Sequence, residues 1–353
     1  MSSLELRRFQ SYDRHQSYQW NYDHAPSPIQ IEVPPVPGEW TFCSRKVDSP
    51  LGIAAGPLLN GRWCLYYAQL GFDVLTYKTV RSGLRACYSL PNLLPVKCES
   101  LQGGDGRLQT TTEFQGSWAV SFGMPSQVPK TWQEDIAETR RRLPSNKLLS
   151  VSVVGTMQTG WSFEQLAEDY AECALQATRH GADSIEINLS CPNVNTCDGQ
   201  LYQHPNESAL VAVSVRQAIG DLPLIVKIGH FQEPERIAPL IDALSPYIDA
   251  VATTNSVVAS VIDDLGNLYF DGQPRGICGQ GIQDASVRQT EAIAEYIKRR
   301  CLVIRIVGVG GIFTADDVNR YLSAGAESVQ LATAPMIDPE VGIRIRRSLE
   351  SMD

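Results

Sequence analysis

The segment Asn188-Leu189-Ser190-Cys191-Pro192-Asn193 places two amides and a thiol within six residues, directly after the strand-like run 184–187. An Asn side chain donates and accepts at once, and a Cys thiol titrates close enough to neutrality to serve as a base. Together they suit a planar, amide-rich substrate that must lose a proton. The same residues could instead be a thiol buried as a small hydrophobe and two asparagines forming turns. Two lysines close other apolar runs, Lys78 after 74–77 and Lys227 after 224–226. Lysine is costly to bury without a partner, so each should face a polar ligand, unless its ammonium snorkels to water. Thr253-Thr254-Asn255-Ser256 adds hydroxyls and an amide, although an asparagine there also fits a plain turn.

A second kind of chemistry is written in glycine. Gly308-Val309-Gly310-Gly311 runs toward a helical pattern that starts at Thr314, and Leu331-Ala332-Thr333-Ala334 closes another apolar run. Glycines let backbone N–H groups approach a phosphate, and a helix start adds positive potential. A turn that merely needs glycine conformations explains one of these glycines more easily than three. The residues leave open whether such a phosphate belongs to a cofactor or to a substrate.

These groups need a frame. Short β-branched runs at 51–55, 73–78, 148–154, 184–189, 224–228, 250–254, 303–308 and 328–333 read as eight strands. Helical patterns at 162–179, 207–219, 234–244, 286–300 and 314–323 lie between them, with Ser162 and Thr314 placed as N-caps before acidic residues. Strand–helix alternation repeated eight times predicts an α/β fold, a single (β/α)8 TIM barrel over 49–353. An open doubly wound sheet would call for a Gly-x-Gly-x-x-Gly turn after its first strand, and none is present. Two excursions, 79–147 and 255–285, read as long loops over the carboxyl-terminal face, where barrels carry their chemistry. Residues 1–48 contain Pro26, Pro28, Pro34, Pro35 and Pro37 and read as an N-terminal arm without regular elements, packed over the body.

Composition narrows the function. The chain has 353 residues and a formal charge of -9, and no run of Lys or Arg longer than three, which argues against nucleic acid or an anionic membrane as a partner. Nine scattered cysteines form no Cys-x-x-Cys pair, so no zinc, iron–sulfur or other metal site is expected. The start of the chain lacks signal-peptide and transit-peptide patterns, and no apolar run approaches the ~20 residues of a membrane span. A cytoplasmic location is the expectation.

In order and spacing, several segments resemble the class 1 dihydroorotate dehydrogenases and the pyrimidine-reducing barrel of dihydropyrimidine dehydrogenase. They are Ser49-Pro50, Ala54-Ala55-Gly56, Thr76-Tyr77-Lys78-Thr79, 188–193, Val226-Lys227, Thr254-Asn255-Ser256, 308–311 and Ala332-Thr333. The resemblance implies a barrel that holds FMN, with Gly310, Gly311, Ala332 and Thr333 around its phosphate. Ala54, Ala55, Gly56, Lys78, Thr79, Asn188 and Thr254 would lie along its ring system, Gly281 in a glycine loop beside it, and Lys227 at its pyrimidine edge. It further implies that Cys191 exchanges a proton with the substrate while hydride passes to flavin N5; the family's membrane-bound class 2 has Ser at that place and lacks a lysine matching Lys78. Lys78, Asn188, Asn193, Asn255 and Ser256, with Ser121, Gly123 and Met124, would hold a pyrimidine-like small molecule. Relatives of this kind imply either a homodimer or a separate electron-transfer subunit.

One loop departs from the pattern. The family's Asn-Ser-Met-Gly-Leu-Pro-Asn stands here as Val120-Ser121-Phe122-Gly123-Met124-Pro125-Ser126, so both asparagines are replaced. Two other readings stay open: a flavin-free barrel lyase or aldolase with Lys78 or Lys227 as a Schiff base, and a flavin-binding barrel that has lost catalysis. Cys197 is assigned no role.

Overall fold

The structure is a computed structural model that describes residues 9–104, 106–190 and 197–351. Eight strands close a parallel barrel: β1 (Leu51–Ile53), β2 (Val74–Val80), β3 (Leu148–Val153), β4 (Ser184–Asn188), β5 (Leu224–Lys227), β6 (Ala250–Thr253), β7 (Arg305–Val309) and β8 (Ser328–Leu331). Each pairs with the next in the chain, and β8 pairs with β1. The strands read as near-continuous apolar runs because helices cover them outside and side chains fill them inside, so both faces are buried. The (β/α)8 expectation is met. Val303 falls outside its expected strand: Cys301 takes φ 52 to end the preceding helix, which leaves Val303 in the connecting turn, 86% exposed.

The helices start where their side chains can satisfy free amides. Ser162 caps Phe163–Arg179 and Thr314 caps Ala315–Ser323, each through a reciprocal box with Gln165 and Asp317. Helix Gln283–Arg299 begins three residues before the expected 286.

The two excursions lie over the barrel mouth, as expected, and they carry regular structure of their own. They contribute Leu93–Pro95, Ser117–Val120, Arg275–Gly279, Val257–Ile262 and Arg107–Gln109, which pair in that spatial order as a five-stranded sheet above the barrel mouth. Leu93–Pro95 pairs with Ser117–Val120 inside the first stretch and Val257–Ile262 with Arg275–Gly279 inside the second, each across a long connection, and the two stretches join through Ser117–Val120 and Arg275–Gly279, so no tight turn signals the sheet. Residues 1–48 also hold regular structure. Helix Tyr18–Asp23 precedes the proline-rich stretch and a hairpin, Trp40–Phe42 with Arg45–Val47, follows it. Phe42 and Val47 pack against the inward side chains Val74, Leu148, Ile225, Ala250 and Val307, and the hairpin is pinned to Glu327 at the start of β8 by Thr41 Oγ1 and the Cys43 amide. At the opposite end, Tyr12 and Tyr18 contact the Phe122 ring edge-on at 6.2 and 6.5 Å. This segment therefore plugs the barrel floor and roofs part of its mouth.

A buried charge cluster ties the strand starts to the carboxyl-terminal helix Val341–Glu350. Asp73, fully buried, accepts from Ser49 Oγ and Arg346 Nη2 and pairs with Lys147 Nζ at 2.6 Å, while Arg346 Nε donates to the Gly71 carbonyl. Among the described residues, no helix is long and apolar enough to cross a membrane.

Candidate active site

A cavity of about 140 Å³ opens at the carboxyl ends of the strands, the face on which such barrels carry their sites. Its floor comes from Ala54, Ala55 and Gly56 after β1, Lys78 and Thr79 on β2, Glu186 and Asn188 on β4, Lys227 on β5, Val309 on β7, and Ala332 and Thr333 after β8. Asn255, Ser256 and Ser190 supply a polar wall. The upper sheet and its loops supply an apolar one: Leu93, Trp118, Val120, Phe122, Gly123, Met124, Gly276 and Cys278, with Met336 beside them.

Strand geometry explains the polar set. Side chains alternate across a strand, so Glu186 and Asn188 both point inward, as does Lys227, which lies opposite Asn188 in the register. Lys78 donates from Nζ to the Gly56 carbonyl at 3.0 Å and sits 4.5 Å from the centre of the Phe122 ring. Thr79 shares a hydrogen bond with Ser152 at 3.1 Å. Asn188 Oδ1 accepts from the Ser190 amide at 3.0 Å, and Asn255 Nδ2 donates to the Ser190 carbonyl, so both amides hold the backbone that leads into 191–196. Lys227 is buried, and among the described residues its ammonium has no hydrogen bond; its partner is the Glu186 carboxylate at 3.7 Å.

One thiol of the cavity is visible. Burial pushes Cys278 up to about 12, an effect the Lys227 charge only partly offsets, and its Sγ lies 3.6 Å from the Asn255 carbonyl. It is a neutral thiol at ordinary pH and is not a base. Cys191 and Asn193 lie outside the described residues.

Several expected residues stand apart from the cavity lining. Ser121 Oγ accepts from Arg275 Nε at 2.9 Å, and Gly281 packs on Cys98, whose Sγ would lie 2.3 Å from a Cβ at that position. Thr254 is fully buried, its amide bonded to the Val309 carbonyl at 2.7 Å and its hydroxyl to Thr253. Gly310 and Gly311 lie next in the chain to the cavity residue Val309, with φ of 122° and 70°. Among the described residues their amides have no hydrogen-bond partner, which leaves two donors for a ligand at the end of the cavity formed by Val309, Ala332 and Thr333. A Cβ on Gly310 would also come within 2.6 Å of Ser286 Oγ. Gly310→Ala is therefore expected to lower stability by about 1–3 kcal/mol, read as a reduced urea midpoint. An unchanged midpoint would show that the turn relaxes freely.

Sequence reasoning missed Glu186, Leu93, Trp118, Cys278 and Met336. Glu186 carried a usable signal, a lone carboxylate among apolar neighbours at the same strand parity as Asn188; the others are positioned by the upper sheet and gave none.

A family model described as dihydroorotate dehydrogenase matches residues 110–352. The chain belongs to the dihydroorotate dehydrogenase family. A dihydroorotate dehydrogenase from Dictyostelium discoideum is 31% identical over 320 residues, 86% of each chain. The catalytic subunit of an NAD(+)-type dihydroorotate dehydrogenase B from Maridesulfovibrio salexigens is 26% identical over 193 residues, 52% of this chain and 59% of that one. The crystal structure of a dihydroorotate dehydrogenase from Eimeria tenella, in complex with ferulenol, superposes with a TM-score of 0.75 over 94% of this chain and 88% of that one. At 18% identity this last likeness speaks for the fold. As a member of the dihydroorotate dehydrogenase family, the chain is an oxidoreductase.

Proposed function

We propose that the protein oxidises dihydroorotate, or a closely related dihydropyrimidine, with FMN held in the barrel-mouth cavity. The observation that carries this reading is the pairing of the barrel-mouth cavity with polar groups that, among the described residues, have no hydrogen-bond partner: the Gly310 and Gly311 amides, next in the chain to the lining residue Val309, and the buried Lys227–Glu186 pair in the lining itself. Gly56 fits the same picture, since a Cβ there would meet nothing nearer than Ala332 Cβ at 4.0 Å and would only fill cavity space.

In this reading Gly310, Gly311, Ala332 and Thr333 hold the phosphate. Ala54, Ala55, Gly56, Lys78 and Thr79 line the ring system, with Thr254 and Gly281 behind, and Lys227 faces the pyrimidine edge. FMN, when bound, supplies the acceptor for a hydride. Cys191 takes the proton from the substrate carbon beside the carbonyl, a task suited to a thiol at neutral pH. Asn188, Asn193, Asn255 and Ser256 present amides and a hydroxyl to the ring edges, and Lys78 presents a cation to an anionic substituent. Gly123 and Met124 close the wall opposite, together with Val120. A valine cannot hydrogen-bond a ring amide, so discrimination among dihydropyrimidines rests on fewer polar contacts than the family pattern provides. The free cysteines Cys43, Cys64, Cys87, Cys98, Cys173, Cys278 and Cys301 suit a reducing cytoplasm. Electrons leave either to a small-molecule oxidant, in a homodimer, or to a separate subunit.

The test is anaerobic mixing of the FMN-loaded protein with dihydroorotate, dihydrouracil and dihydrothymine in single turnovers. Dihydroorotate is expected to bleach the flavin fastest. Bleaching by none of the three would overturn the substrate class, and faster bleaching by an uncharged ring would overturn the role given to Lys78.

A further inference from the structure

Glu186 is buried to 1% exposure, lines the cavity, and neither of its carboxylate oxygens has a hydrogen-bond partner among the described residues. Among the described residues its ion-pair partner is Lys227 Nζ at 3.7 Å, beyond hydrogen-bond reach, and Lys227 is itself nearly buried. The other buried ion pairs among the described residues, those of Asp73, look different. Asp73, with the same burial, accepts from Ser49, Lys147 and Arg346. A buried carboxylate and ammonium with so much unused bonding capacity are costly to maintain by packing alone. Their geometry instead keeps one negative and one positive charge together at the cavity floor, with the lysine's donors left for whatever occupies the cavity.

We propose that Glu186 is a positioning residue that acts through Lys227: it holds the ammonium at the floor of the cavity and partly cancels its charge, so limiting the electron affinity of the bound cofactor. This rests on the reading of the cavity as an FMN site. The physical basis is Coulombic. A bare buried cation beside a ring that gains electrons favours the electron-rich form, and a carboxylate 3.7 Å from that cation weakens the effect. Glu186 thus works against the pull that Lys227 exerts, and the net pull is set by the pair.

The experiment compares wild type, Glu186→Gln and Glu186→Asp, each loaded with FMN, by titration with sulfite, which adds to oxidised flavin more tightly as the ring becomes more electron-poor. No turnover is needed. Glu186→Gln removes the negative charge and is expected to tighten sulfite binding by about tenfold or more. Glu186→Asp keeps the charge and is expected to stay within about threefold of wild type. A Gln variant that binds FMN yet shows unchanged or weaker sulfite binding overturns the proposal, as does an Asp variant that tightens as much as predicted for Gln. If the Gln variant does not fold, the Asp result still decides. Wild-type protein that takes up no FMN would sink the cofactor reading itself, an outcome separate from failure of this inference.

Discussion

Replacing Cys191 by Ser is expected to leave FMN bound while slowing flavin reduction by dihydroorotate at neutral pH by about 10²- to 10⁴-fold. The size of the effect follows from the task. A proton must leave a carbon beside a carbonyl as hydride leaves its neighbour, and a serine hydroxyl is a far poorer base than a thiol near pH 7. Among the described residues, none of the cavity's thiols or amides substitutes readily. Cys278 lines the cavity, but burial holds its thiol up at about 12 and its Sγ is directed at the Asn255 carbonyl. The amides Asn188 and Asn255 have no basic lone pair to offer. Because the variant must use a weaker base, its rate should climb steeply with pH where that of the wild type levels off. Anaerobic stopped-flow absorbance of the flavin reads both the rate and the pH profile. Kinetics indistinguishable from wild type would remove Cys191 from the reaction.

The second large effect concerns the fold. Asp73→Ala is expected to cost about 3–5 kcal/mol, because it strands two cations built around one carboxylate. Lys147 and Arg346 are both almost buried and both bond to Asp73, which also receives the Ser49 hydroxyl. The backbone of Asp73 links β1 to β3, through its amide to the Leu51 carbonyl and its carbonyl to the Leu148 amide. Removing the side chain therefore loosens the carboxyl-terminal helix from the strand starts, on the side of the barrel remote from the cavity. Urea unfolding checks the magnitude. A loss below about 1 kcal/mol would show that water readily replaces the carboxylate.

Much of this molecule is legible in its sequence, and the reasons are local. Parallel strands buried on both faces must be runs of apolar residues, which is why all eight were readable to within a few positions. Ser162 and Thr314 mark helix starts because a side-chain oxygen there bonds an otherwise free amide. Lysines at strand ends announced the cavity, since an ammonium at the end of a buried run needs something polar to face. What was not legible depends on distant partners. The sheet over the mouth pairs Arg275–Gly279 with Ser117–Val120, more than a hundred residues earlier, so Trp118 and Cys278 reach the cavity without a local signal. The hairpin at Trp40–Phe42 is short and follows a proline-rich stretch, and its place in the barrel floor is set by Glu327 and the inward side chains it meets. Ser121 looked available as a small polar residue in a loop, whereas Arg275 already occupies its hydroxyl.

The central claim is that the cavity between Lys227 and the Gly310–Gly311 turn is a flavin site. Its most direct test is titration of flavin-free protein with FMN, followed by fluorescence quenching, with Gly310→Ala as the comparison. Saturation at one FMN per chain in the wild type, with clearly weaker binding in the variant, is the predicted result. Protein that remains colourless with excess FMN, or that is instead trapped by borohydride as a lysine adduct with a carbonyl substrate, would contradict the account.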